Sequence, residues 1–278
     1  MGGSSIQNEY VGGNKKGGSM LPSDFKIIYK VISGSRAYGT NREDSDVDTR
    51  GVCIPPIDYY MGMREFDQYE DRQSDTVIYG IKKFFKLAYD CNPNIIELLY
   101  VPTDCVLECN YWGRYLIDMR DMFLSKKAYR TFGGYAKQQL HRIKVAKKWF
   151  DLRNDIDKLS IKDKIEFHKW KENRNPKRAD LEMKYGYDTK HAMHLVRLLY
   201  TGIDILQYGT VIVKRSPEDG LIHIINGGFK YEEIILLADI LFTLLDQEYE
   251  RSKLPEVPSF EEINEKLIFI VQNNLKGR

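Results

Sequence analysis

Asp46 and Asp48 stand one residue apart in Ser45-Asp46-Val47-Asp48, and the pair Gly34-Ser35 precedes them in Gly34-Ser35-Arg36-Ala37-Tyr38-Gly39-Thr40. On a strand, side chains at i and i+2 point to the same face, so the two carboxylates are expected side by side. Adjacent carboxylates repel each other unless a cation neutralises them. A hard cation with oxygen ligands and room for phosphate oxygens, such as Mg²⁺, suits that position. A Gly-Ser turn offers backbone N–H groups and a hydroxyl that hold phosphate. Together these residues point to metal-assisted phosphoryl or nucleotidyl transfer, with two Mg²⁺ ions expected and Mn²⁺ as a substitute.

Positioning these groups requires two strands. Phe25 to Ser33 reads as a strand running into the Gly-Ser turn, and Val47 to Ile54 as a second strand with both acids at its start. Arg50 follows the acids and is expected to pair with one of them. Arg36 either steadies a phosphate or faces water, because arginine forks suit both roles. Thr40 either caps local structure or touches the nucleotide, with capping favoured.

The chain has 278 residues and a net charge of +2. That average conceals an asymmetry: residues 120–190 hold 20 Lys and Arg against 10 Asp and Glu, and the remainder carries an acidic excess. The basic stretch is interleaved with Trp149, Phe150, Trp170 and Tyr185, which suggests a surface for a polyanion. No apolar run approaches the roughly 18 to 20 residues of a membrane span. Residues 1–20 are mostly Gly, Ser, Asn and Lys and read as a tail without a secretory pattern. Cys53, Cys91, Cys105 and Cys109 lack metal-ligand spacing and are expected as reduced thiols, which suits a cytoplasmic protein.

Further along, Ile57 to Asp71 reads as irregular and Asp75 to Tyr79 as a short strand. Lys82 to Asp90 carries a helical stripe of Phe84, Phe85, Leu87 and Ala88. Asn92-Pro93-Asn94 restarts a helix over 95–100, where Glu97 reads as a first-turn acid matching the helix dipole. From Tyr111 the pattern is largely helical, with a long helix from Tyr135 to Leu159 beginning after Gly133-Gly134 and another from Ile161 to Lys171. Tyr187 to Tyr208 is the clearest helix, its stripe running through Ala192, Leu195, Val196, Leu199, Ile203 and Leu206. Val211 to Val213 and Leu221 to Ile225 read as a hairpin around 216–220. Helices over 231–251 and 260–275 close the chain, the last with a Ser259/Glu262 capping box.

A second block, Lys184-Tyr185-Gly186-Tyr187-Asp188-Thr189-Lys190-His191-Ala192-Met193-His194-Leu195-Val196-Arg197, sets Lys190, His194 and Arg197 on one helix face. Asp188 is expected to cap that helix. Lys184, Lys190 and His191 read as nucleotide or acceptor contacts, and His191 with His194 as a zinc pair lacks a third ligand. Phe84, Phe85, Trp112 and Met193 are assigned to the core.

Both blocks, with the Asn92-Pro93-Asn94 … Glu97-Leu98-Leu99 segment, resemble the RNA-repair-pathway branch of the DNA polymerase beta superfamily over roughly residues 25–250. The resemblance implies an α+β fold: a small mixed sheet in a nucleotidyltransferase core, here 21–110, followed by a mainly helical half, 111–278, with a basic surface. It implies an NTP donor and attack by a hydroxyl on the α-phosphate, with release of pyrophosphate; ATP is the default donor, and the basic stretch points to RNA or tRNA as the acceptor. Gly34 and Ser35 would take the triphosphate; Asp46 and Asp48 would take the metals. The superfamily also needs a third carboxylate on a neighbouring strand. Asp75 is the candidate for metal binding and for activating the hydroxyl, with Asp67, Glu70 and Asp71 as rivals. AMP transfer to a protein side chain and a non-catalytic nucleotide- or RNA-binding module are the alternatives.

Overall fold

The computed structural model describes residues 21–43 and 45–276. The tail expected over 1–20 lies outside the described residues.

Five strands form one mixed sheet, in the order β3-β4-β2-β1-β5. β1 (Lys26–Ser33) is an inner strand, and its Ile28, Tyr29 and Val31 are almost fully buried. It runs antiparallel to β2 (Asp48–Ile54) on one side and to β5 (Val106–Cys109) on the other. β4 (Thr76–Gly80) lies parallel to β2, and the edge strand β3 (Gln68–Asp71) lies antiparallel to β4. Between β1 and β2 the chain makes the short helix α1 (Gly34–Tyr38), so Gly34-Ser35 opens a helix instead of forming a turn. Asp46 lies ahead of β2, outside the strand expected to carry both acids.

Ile57 to Asp71 is more ordered than the sequence suggests, holding α2 (Asp58–Met61) and β3. β3 escapes a period-two search because its residues, Gln-Tyr-Glu-Asp, bury no face fully. α3 (Ile81–Tyr89) buries Ile81, Phe84, Phe85 and Ala88, the expected stripe. Asn92 caps α4 (Pro93–Ile96) by accepting from the Asn94 N–H at 3.0 Å. A 3-10 turn over Glu97–Tyr100 follows, and then β5 and α5 (Tyr111–Asp118).

The helical half begins with α6 (Lys127–Leu152), which runs straight through Gly133-Gly134 and stops before Leu159. Gly133 is there for close packing: a Cβ would sit 3.1 Å from Leu245 on another helix. α7 (Ile161–Glu172) and α8 (Pro176–Tyr185) lie largely at the surface, and α9 (Thr189–Tyr208) is the buried centre. The hairpin expected after α9 does not form. Leu221–Ile225 is α10, entered through Gly220 at φ +73°, and its Leu221, Ile224 and Ile225 are buried at helical spacing. Val211 and Val213 are buried without strand pairing. α11 (Tyr231–Arg251) and α12 (Phe260–Lys276) complete the chain.

The main core runs unbroken from Ile28 and Val52 of the sheet through Phe132 and Leu199 to Leu245 and Ile270. Phe84, Phe85 and Met193 lie in this core, and Trp112 packs against it. The four cysteines are free thiols. Among the described residues, no helix is long and apolar enough to cross a membrane.

Candidate functional site

The sheet register brings two carboxylates together. In the β1–β2 ladder Ser33 stands opposite Asp48. In the parallel β2–β4 ladder Thr49 stands opposite Thr76, and the Thr49 N–H donates to the Asp75 carbonyl at 3.0 Å, so Asp48 and Asp75 are lateral neighbours. Their side chains come close enough to share a hydrogen bond when one of them is protonated. Burial, then the contact with Asp75, pushes the Asp48 carboxyl up to about 6. Asp75 is held below the usual carboxylate range, first by its hydrogen bond with Asp48 and then by Arg50. Arg50 clamps the pair: its Nη2 lies 3.1 Å from Asp75 Oδ1 and 3.8 Å from Asp48 Oδ1. Asp75 sits at φ +45°, a conformation that Asp tolerates better than most residues.

Gly34 closes against this pair. It has φ +65°, and a Cβ placed on it would lie 2.0 Å from Asp48 Oδ2. Only glycine meets both conditions. Gly34→Ala is expected to push the Asp48 carboxylate aside and to cost about 1–2 kcal/mol in the left-handed conformation alone. Thermal unfolding measures the second effect, and divalent-cation titration the first.

Asp46 is placed differently. Its side chain is 76% exposed and faces Lys177 Nζ at 3.5 Å. Its loop is tied down by Arg36, whose Nη2 donates to the Ser45 carbonyl at 3.1 Å. The Ser45 hydroxyl accepts from the Arg42 N–H at 2.8 Å. Arg36 therefore holds the loop instead of facing water. The Ser35 carbonyl accepts from the Thr40 N–H at 2.9 Å, which closes α1, and the buried Thr40 hydroxyl has no hydrogen-bond partner among the described residues.

A cavity of about 470 Å³ opens beside the acid pair. The sheet lines it with Asp48, Arg50, Glu70 and Tyr79, and Ser33 and Gly34 reach it where Ser35 does not. Glu70, one of the rival third acids, stands opposite Val77, which is opposite Arg50, so it shares the face of Asp48 two residues further along. The helices contribute Gln139 and Arg142 from α6, Arg178 from α8, and His191, His194 and Arg197 from α9. A larger hollow of about 610 Å³ beneath the α11–α12 connection, beside Tyr89 and Met122, contains no basic residue and does not touch the acid pair.

Asp188 caps α9 as expected, accepting from the His191 N–H at 2.9 Å, and it also holds Arg178 Nη1 at 2.8 Å. His191 Nδ1 lies 2.6 Å from Gln139 Oε1, and burial pushes its pKa down to about 4. His194 is pushed well below the usual histidine value, also by burial. Lys190 is exposed and close enough to Asp48 to pull that carboxyl down. Lys184 lies against the Tyr185 ring at 5.0 Å and does not reach the cavity.

Glu97 is not a dipole-matching surface acid. It is 3% exposed and carries a buried ion pair with Arg197. Its other oxygen accepts from the Tyr38 hydroxyl at 2.9 Å, and the Arg197 guanidinium lies 4.0 Å from the Tyr38 ring centre. The available signal was a lone charge inside the apolar run Ile95-Ile96-Glu97-Leu98-Leu99.

Among the described residues, no group of three or more His, Cys, Asp or Glu is gathered closely enough to hold a metal ion. The Asp48–Asp75 pair still suits one hard cation: two oxygen donors are lateral neighbours at one end of the sheet, and burial, then the neighbouring acid, makes the bare charge on Asp48 unfavourable.

The model of the RNA repair pathway DNA polymerase beta family matches residues 19–268. The chain belongs to that family. An uncharacterised 38.9 kDa protein from the nrdC-mobD intergenic region of Enterobacteria phage T4 is 22% identical over 272 residues, covering 80% of each chain. Uncharacterised protein YcgL of Bacillus subtilis is 37% identical over 78 residues, 27% of this chain and 30% of YcgL. A solved nucleotidyltransferase-like protein from Exiguobacterium sibiricum shares 10% identity at a TM-score of 0.29, covering 92% of this chain and 75% of that one. Membership in this polymerase beta family and the small mixed sheet with a mainly helical remainder indicate a polymerase beta-like nucleotidyltransferase.

Proposed function

We propose that the protein transfers a nucleoside monophosphate from an NTP, by default ATP, to a hydroxyl of RNA or tRNA and releases pyrophosphate. The observation that carries this reading is the Asp48–Asp75 pair abutting Gly34 at the rim of an open cavity. In this reading the backbone at Gly34 and Ser35 takes the donor's phosphates. Asp48 and Asp75 hold Mg²⁺, with Mn²⁺ as a substitute, and Asp46 joins them on leaving Lys177. The metal supplies positive charge against the phosphate oxygens of the transition state. The acceptor oxygen forms its bond to the α-phosphorus as the bond to the β-phosphate oxygen breaks. Asp75, ionised at neutral pH, takes the hydroxyl proton and passes it to water through a side chain that is 51% exposed.

The test is incubation with each α-labelled NTP, Mg²⁺ and bulk RNA. Label is expected in RNA, with pyrophosphate released, and it is lost in Asp48→Asn. Label in protein instead supports AMP transfer to a side chain. NTP binding without any labelled product identifies a binding module and overturns the enzymatic reading.

A further inference from the structure

We infer that Arg142 and Arg178 form a subsite for the terminal phosphate of the acceptor strand, an RNA end that enters the cavity between α6 and α8. The inference rests on the transfer reading above and specifies its acceptor. Arg142 lines the cavity, is exposed and has no hydrogen bond or ion pair within the described residues. Arg178 is already aimed: Asp188 holds one of its nitrogens and is itself fixed as the cap of α9. Two guanidinium groups at one cavity, one oriented and one without a hydrogen bond or ion pair among the described residues, supply the donors that a phosphate group accepts.

The donor's phosphates are assigned elsewhere, to the Gly34 segment beside Asp48. Arg142 and Arg178 belong instead to residues 120–190, the stretch with 20 basic against 10 acidic residues. They are the inner end of the surface that attracts a polyanion. Glu97, Arg197 and Leu198, all buried, also line this cavity, so it reaches inward to the core, a recess that suits the end of a strand. A nucleotide phosphorylated at its end keeps its 2′-hydroxyl free, and it brings that hydroxyl and its phosphate into the same space as Asp48.

The experiment measures binding of short oligoribonucleotides carrying a 5′-phosphate, a 3′-phosphate or neither, by fluorescence anisotropy in low salt. Wild type is expected to prefer one phosphorylated end by roughly tenfold. Arg142→Gln, which breaks no hydrogen bond or ion pair within the described residues, is expected to erase that preference while leaving the KM for NTP unchanged. Arg178→Gln is read beside a thermal melt, because it also releases Asp188. Equal binding of all three oligonucleotides by the wild type overturns the inference, as does a rise in the KM for NTP in Arg142→Gln, which would place the donor's triphosphate there. Anisotropy needs no turnover, so a protein that binds the phosphorylated end but transfers nothing refutes the transfer reading and leaves the subsite standing.

Discussion

Asp48→Asn is expected to abolish nucleotidyl transfer and at the same time raise the melting temperature of the metal-free protein. The loss of transfer follows from removing one of two facing oxygen donors. About 4 kcal/mol of lost transition-state stabilisation corresponds to a rate decrease of about 10³-fold. The gain in stability follows from the burial of that donor beside a second acid. The Asp48 carboxyl holds its proton to about 6, against an ordinary value of 3.8, so at neutral pH folding forces a charge into a half-buried site beside another acid. The penalty is fully present above pH 6, shrinks as the pH falls towards 3.8 and vanishes below it. Its ceiling is ~3 kcal/mol at 1.36 kcal/mol per unit. With 27% of the side chain exposed and Arg50 alongside, solvent screening reduces this to about 1–2 kcal/mol. Asparagine keeps the size of the side chain and donates to Asp75 without a proton being needed. Calorimetry in EDTA at pH 7.5 should therefore show Asp48→Asn melting a few degrees higher, with the advantage narrowing by pH 4.5. Mg²⁺ should stabilise wild type and leave the variant unchanged. A variant less stable than wild type in EDTA would show that the acid pair is not strained.

What was legible in the sequence was local. The α3 and α9 stripes and the Asp188 cap depend on neighbours within a few turns, and the structure keeps them. Asp46 was placed by strand periodicity, but Arg36 and Arg42 bind Ser45 and draw the chain off the sheet before Asp48. No spacing rule anticipates a side-chain bond to a carbonyl nine residues away. The 211–225 segment misleads because a short run of β-branched residues fits a strand and a buried helix turn equally well. The neighbouring α9, which buries Leu221 and Ile224, settled it. Arg142 was hidden among the many lysines of α6. Only the fold separates the cation turned towards the cavity from those facing water.

The partner of Glu97 lies 100 residues away, which is why the sequence concealed it. Removing either member of this pair is expected to be costly, since it leaves the other buried without a counter-charge. Glu97→Ala should destabilise by about 3–5 kcal/mol, enough to shift the melting temperature by roughly ten degrees. Tyr38→Phe leaves one Glu97 oxygen unpaired and should cost about 1–2 kcal/mol. The double variant Glu97→Leu/Arg197→Met replaces charge with apolar volume and should recover most of the loss. Activity is expected to part company with stability here. Tyr38 is the last residue of α1 and Gly34 the first, so the bond from Tyr38 to Glu97 anchors the short helix that presses on Asp48. A double variant that melts like wild type but shows a lower kcat, with little change in the KM for NTP, assigns the network a positioning role. Recovery of both stability and kcat would make it a structural ion pair and no more. Loss of stability in the double variant equal to that of the singles would mean that the cavity wall depends on charge that apolar packing does not replace.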